Sequence, residues 1–145
     1  MNRRTLISGF LGMLPVSVLG KSKKTDKDKF FTGKVALPDR TCWYKNGELH
    51  RADGPAKEDA DGTKEWYQNG ERHRVDGPAI EYAGGTKEWY QNGKCHRTDG
   101  PAVEYADGSE SWYKDGELHK DDGPAVEWAD GSRSWYLNGR YQKSG

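Results

Sequence analysis

Four histidines, His50, His73, His96 and His119, stand 23 residues apart, each followed by a cation (Arg51, Arg74, Arg97, Lys120) and, three residues on, by Asp53, Asp76, Asp99 or Asp122. Imidazole near carboxylate is the pairing used by metal centres and by general acid–base catalysts. A ladder suits neither use. If each period adds two strands, successive histidines lie ~10 Å apart, whereas zinc ligands must all come within about 2 Å of one ion. No metal is expected. The pattern fits a hydrogen-bonding role at a hairpin edge instead, with the aspartates satisfying backbone N–H groups before Gly-Pro. Four imidazoles with an ordinary pKa near 6.5 add positive charge on acidification, so partner binding is expected to depend on pH between about 5 and 7.

Other chemistry finds no centre. Glycoside hydrolysis needs two carboxylates in different environments, but Glu81, Glu104 and Glu127 recur at one repeat position. A serine elbow, a phosphate-cradling glycine loop and a paired-cysteine motif are all missing from the sequence. The chain is therefore expected not to be an enzyme and to carry no cofactor. Cys42 and Cys95 lie more than two periods apart, about 20 Å in a stack, and a disulfide needs Cα atoms within about 7 Å. No intramolecular bridge is expected.

The elements that position these residues follow from the period. Trp-Tyr pairs recur at 43/44, 66/67, 89/90, 112/113 and 135/136, giving four full units and a truncated fifth over residues 43–145. Each unit is punctuated by Asn/Asp-Gly, Asp-Gly-Pro and Asp/Gly-Gly, which leaves stretches too short for helices and right for strands. Asn-Gly and Asp-Gly between such runs predict type I′ hairpin turns. The fold class is all-β: an elongated single antiparallel sheet, solenoid-like, of stacked β-hairpin repeats. Along Thr86–Gln91, alternation puts Trp89 with Lys87 and Gln91 on one face and Tyr90 with Thr86 and Glu88 on the other. Stacking then sets Trp beside Trp and Tyr beside Tyr, with each aromatic pair adding about 0.5–1.5 kcal/mol.

Composition agrees once the chain is divided. Of 145 residues, 23 are basic and 23 acidic, and only 19 are Leu, Ile, Val or Phe; seven of those fall within residues 43–145. Six Trp and eight Tyr replace an aliphatic core. Residues 1–42 carry nine Lys/Arg against three Asp/Glu, so the repeats are acidic and a nucleic-acid partner is not expected. Residues 1–20 read as a signal peptide, with Arg3-Arg4 followed by the apolar run Leu6 to Leu19. The adjacent arginines resemble a twin-arginine signal; an ordinary secretion signal and a mitochondrial transit peptide are the alternatives. Residues 21–29 hold five lysines and form a linker, and 30–42 a capping strand. The expected location is the bacterial periplasm or the extracellular space, with anchoring by an uncleaved N-terminus as the alternative.

The period, Trp-Tyr-x-Asn/Asp-Gly, the His after the turn and Tyr-Ala-Asp-Gly resemble MORN repeats, in the divergent form with His-Arg-x-Asp-Gly-Pro-Ala units. The resemblance implies an elongated hairpin sheet used for protein scaffolding and, in some members, phospholipid contact. One difference stands out: Arg51, Arg74, Arg97 and Lys120 occupy positions where MORN units carry glycine. The expected function is a non-catalytic exported module binding a protein, or a glycan, through a Trp/Tyr ladder. The candidate residues are Tyr67, Tyr90 and Tyr113, the four histidines, and Arg51, Arg74 and Arg97. Association with a phospholipid surface through the basic N-terminal segment is the alternative, and edge-to-edge homo-oligomers are a further expected risk of an open sheet.

Overall fold

A computed structural model describes residues 30–145; the signal-peptide and linker assignments, 1–20 and 21–29, lie outside them. β1 (Gly33–Ala36) and β2 (Arg40–Lys45) form an antiparallel hairpin, and β3 (Glu48–Leu49) folds back on the end of β2. Three units then supply four short strands each: β4 (Lys57–Asp59), β5 (Lys64–Glu65), β6 (Tyr67–Gln68) and β7 (Glu71–Arg72); β8 (Ile80–Glu81), β9 (Lys87–Glu88), β10 (Tyr90–Gln91) and β11 (Lys94–Cys95); β12 (Val103–Glu104), β13 (Glu110–Ser111), β14 (Tyr113–Lys114) and β15 (Glu117–Leu118). β16 (Val126–Glu127), β17 (Arg133–Leu137) and β18 (Arg140–Ser144) close the array. One open antiparallel sheet runs β1-β2-β4-β5-β8-β9-β12-β13-β16-β17-β18, and β6–β7, β10–β11 and β14–β15 are separate two-stranded ladders. The architecture is the all-β hairpin stack that the period predicts.

Tryptophan explains why each unit is cut into four strands rather than two. The Trp66 N–H donates to the Ala79 carbonyl at 2.8 Å, and the Trp66 carbonyl accepts the His73 N–H at 3.1 Å. Both bonds are made by the one strand that lies beside it, so residues 74–78 leave the sheet opposite the indole and return in register. The same pair of bonds recurs at Trp43, Trp89 and Trp112. Each unit is thus a hairpin whose second strand is interrupted by an Arg-x-Asp-Gly-Pro loop.

Two turn chemistries set the register. At Asn46-Gly47, Asn69-Gly70, Asn92-Gly93, Asp115-Gly116 and Asn138-Gly139 both residues have positive φ, 49–53° at the first position and 73–91° at the second, as a type I′ turn requires. The Asp-Gly turns differ from the expectation. In Tyr105–Ser109 only Gly108 is left-handed, at φ 89°. The Gly108 N–H donates to the Tyr105 carbonyl and the Tyr105 N–H to that of Ser109, which is a type I turn closed by a glycine bulge. Asp107 is there for its side chain, which accepts the Ser109 N–H at 2.8 Å.

The sheet has a Trp face and a Tyr face. On the Trp face Ala56, Ala79, Ala102 and Ala125 are fully buried beside the indoles. On the Tyr face cross-strand neighbours form one row, Cys42, Lys57, Glu65, Ile80, Glu88, Val103, Ser111, Val126 and Ser134. Most of that row is buried, polar members included.

Candidate functional site

The expected contact of like aromatics is replaced by something else. Among the described residues, paired rings occur at Phe31–Tyr44 and Tyr136–Tyr141, near the ends of the array, and not between equivalent positions of successive units. One period advances the sheet by ~10 Å, beyond the 4.5–7 Å over which aromatic rings interact. The gap is filled by cations. Arg51 lies 4.1 Å from the Trp43 ring centre, Arg74 3.9 Å from Trp66, Arg97 4.0 Å from Trp89, Lys120 3.4 Å from Trp112 and Lys143 4.6 Å from Trp135.

Each arginine also ties its loop to the sheet. The Arg97 Nε donates to Asp99 at 3.0 Å, and its Nη1 donates to the Pro101 carbonyl at 3.1 Å and to Glu104 at 2.8 Å. Arg74 repeats the set with Asp76, Pro78 and Glu81. The guanidinium lies so close to the loop that a Cβ on Gly77 or Gly100 would sit 2.9 Å from its central carbon, which is why glycine precedes the proline. Hydrogen bonds from Arg51 and Arg97 hold Asp53 and Asp99 below the usual carboxylate range. The aspartates therefore bind the clamp, where the sequence suggested backbone N–H groups. Arg51, Arg74 and Arg97 are half-buried, and their Nε and Nη1 donors are committed within the fold.

The histidines lie on the seam between units, where each Nδ1 accepts the backbone N–H of the residue 19 positions on, at 3.1 Å. His73, His96 and His119 also line three clefts of about 450, 560 and 500 Å³ between successive Arg-x-Asp-Gly loops. Among the described residues no group of three or more His, Cys, Asp or Glu is placed to hold a metal ion.

The three candidate tyrosines face the other way, so the residues singled out from the sequence do not converge on one site. The Tyr67 hydroxyl donates to Glu65 at 2.8 Å and that of Tyr90 to Glu88 at 2.9 Å. Glu65 also accepts from Lys57 at 2.7 Å and from Arg72 at 3.1 Å. Burial pushes the Glu65 carboxyl up, but the bonds from Lys57, Tyr67 and Arg72 outweigh it and leave the group below its ordinary value. Burial and the nearby Glu88 push the Cys95 thiol up to about 12, so it is no thiolate nucleophile near neutrality.

Beyond Glu88 the Tyr face changes. The repeat position of Glu65 and Glu88 is Ser111 and then Ser134, and no acid reaches up to Tyr113. An open slot of about 400 Å³ results, walled by Tyr105, Tyr113, Leu118, Trp128 and Tyr136 over a floor of Ser111 and Val126. Tyr105 and Trp128 are each more than 40% exposed, at 42% and 43%. Of these walls only Tyr113 was singled out by repeat position. The missing signal was the Glu-to-Ser change, which is visible only when units are compared with one another.

No protein-family model matches this chain, and no curated protein is similar to it in sequence.

Proposed function

We propose that the chain is a non-catalytic, exported binding module of MORN-like repeats, and that its docking site is the aromatic slot of the last units. The carrying observation is that slot: exposed Tyr105 and Trp128 beside half-buried Tyr113 and Tyr136, over two small or apolar floor residues. A concave, mostly apolar pocket of this size with few polar groups is the usual form of a binding site, and aromatic side chains anchor protein contacts when their surroundings exclude water. The occupant we favour is an apolar side chain of a protein partner, with a glycan ring as the alternative. Exposed Asp107 at the rim supplies a polar contact for either.

The test is capture of partners from the envelope fraction by the native chain and by Trp128→Ser, with a glycan array run in parallel. A partner retained by the native chain and lost with Trp128→Ser supports the reading, whereas equal capture by both removes the slot as its site. A second reading, phospholipid association, is favoured by the five lysines of residues 21–29. Flotation with anionic vesicles, with and without residues 1–29, separates the two, since binding that disappears on truncation belongs to the N-terminal segment and not to the slot.

A further inference from the structure

The histidine seams do more than add charge. Nδ1 of His50, His73, His96 and His119 accepts the backbone N–H of Asn69, Asn92, Asp115 and Asn138. Each of these residues opens the type I′ turn of the next unit. An imidazole nitrogen that accepts carries no hydrogen, so Nε2 carries it. Beside this bond the seam holds a turn-glycine N–H on a carbonyl of the preceding unit, Gly93 to Arg72 at 3.0 Å for example, and in three units a longer contact such as the Arg74 N–H to the Tyr90 carbonyl at 3.3 Å. One seam bond in each unit thus depends on an unprotonated Nδ1. Proton uptake there turns an acceptor into a donor aimed at another donor.

What surrounds each ring decides the outcome. His50 precedes Arg51, whose charge is met by Asp53 and Glu58. His73 shares its cleft with Arg51, Asp53, Arg74 and Asp76, which are paired with one another. His96 faces Arg74, Asp76, Arg97 and Asp99 on one side and Lys114, Lys120, Asp121 and Asp122 on the other; His119 faces Arg97, Asp99 and the same four residues. Among the described residues a carboxylate comes within 4 Å of a histidine at two places only. Asp121 stands 3.3 Å from the His119 Nε2, which bears hydrogen in both protonation states and so gives no substitute at Nδ1. Asp115 stands 3.3 Å from the His96 Nδ1 and supplies the acceptor that a protonated ring needs.

We propose that the seams form a proton-operated release with one locked joint: acidification loosens the His50–Asn69, His73–Asn92 and His119–Asn138 seams and leaves His96–Asp115 closed. The turns then loosen from their histidines at three joints while the third and fourth units stay fastened, all of them still joined by the continuous sheet. This goes beyond the binding reading, because it concerns how the units hold to one another whatever they bind.

Amide hydrogen exchange of the full chain, resolved by NMR at about pH 7.5 and about pH 5 and corrected for intrinsic rates, tests it. The turn-glycine amides report each seam without using the imidazole as acceptor: Gly70, Gly93 and Gly139 should lose about tenfold in protection, the worth of the one hydrogen bond lost beside them, while Gly116 keeps its own. Asn92→Asp should make that joint insensitive, Asp115→Asn should make the locked joint sensitive, and His73→Gln should supply a non-titrating carbonyl acceptor and leave its joint insensitive. Uniform protection at the lower pH overturns the proposal, as does uniform loss at all four amides or an Asn92→Asp joint as sensitive as the native one.

Discussion

The two halves of the Tyr face share a backbone and differ in what fills it. Around β4–β7, Lys57, Glu65, Tyr67 and Arg72 close the surface with an ionic cluster in which Glu65 is buried. Around β13–β17 the same repeat positions carry Val126, Ser111, Tyr113 and Leu118, and the surface opens into the slot. A repeat scaffold therefore makes a site by subtraction. Shortening one side chain in two units removes the acid that meets the Tyr67 and Tyr90 hydroxyls and leaves an open slot beside Tyr113.

Breaking the closed half should have the largest effect. Glu65→Ala removes the acceptor shared by Lys57, Arg72 and Tyr67; loss of one partner from a fully buried ion pair costs about 3–5 kcal/mol, and the part-exposed cations reduce this to about 2–3 kcal/mol in urea denaturation. Slot binding should be unchanged. The cluster also sets an acid limit. Because the folded Glu65 value is depressed, its contribution is present above the ordinary glutamate value near 4.3 and is lost as pH falls through the folded value, where the unfolded chain takes up the proton first. The acid limb of the native chain should be steeper than that of Glu65→Gln in a melting series.

Converting the open half into the closed one is the next test. Ser111→Glu restores the acid found at Glu65 and Glu88 and gives the Tyr113 hydroxyl an acceptor. It should abolish capture at the slot at a cost of about 1–2 kcal/mol, because Ser111 is buried and Val126 and Leu118 stand where Lys57 and Arg72 pair Glu65. Arg97→Ala should cost about 1–2 kcal/mol through loss of the indole contact and three hydrogen bonds, and Arg97→Lys less, since Lys120 caps Trp112 in the fourth unit. Calorimetry of the two variants checks this order.

The smallest effect, and the one stabilising change, lies on the Trp face. There Lys64 and Lys87 each stand between two glutamates across strands, whereas Glu110 stands between Glu104 and Glu127. Like charges directly opposite one another are unfavourable. Glu110→Lys should restore alternation and add about 0.5–1 kcal/mol, read as a higher Tm at low salt and a smaller gain at high salt.

How much of this the sequence disclosed depends on what each feature required. The hairpin stack and its Asn-Gly turns were legible because a turn with two left-handed residues demands local residue types. The assignment of Trp89 and Tyr90 to opposite faces followed from alternation. The arginine clamp was not legible, because Arg97 meets Trp89 only after residues 97–101 leave the sheet, and that departure is decided by which carbonyl the Trp89 N–H finds. Nor was the slot legible: a pattern read for what units share passes over Ser111, whose meaning is that it is not Glu.

The excursion opposite each tryptophan also has a practical consequence. Because the His73 N–H and the Ala79 carbonyl are both fastened to Trp66, the ends of the 74–78 loop are fixed by the sheet and not by the loop's own length. Val75, at its tip, is 81% exposed. Lengthening a surface loop costs only about 0.6 kcal/mol per doubling when its ends stay in place, so foreign peptides spliced after Val75 should be carried by the array, the loss being confined to the Arg74 bonds to Asp76 and Pro78 that span the splice. The equivalent splice points in the other units would display them in a row at ~10 Å intervals.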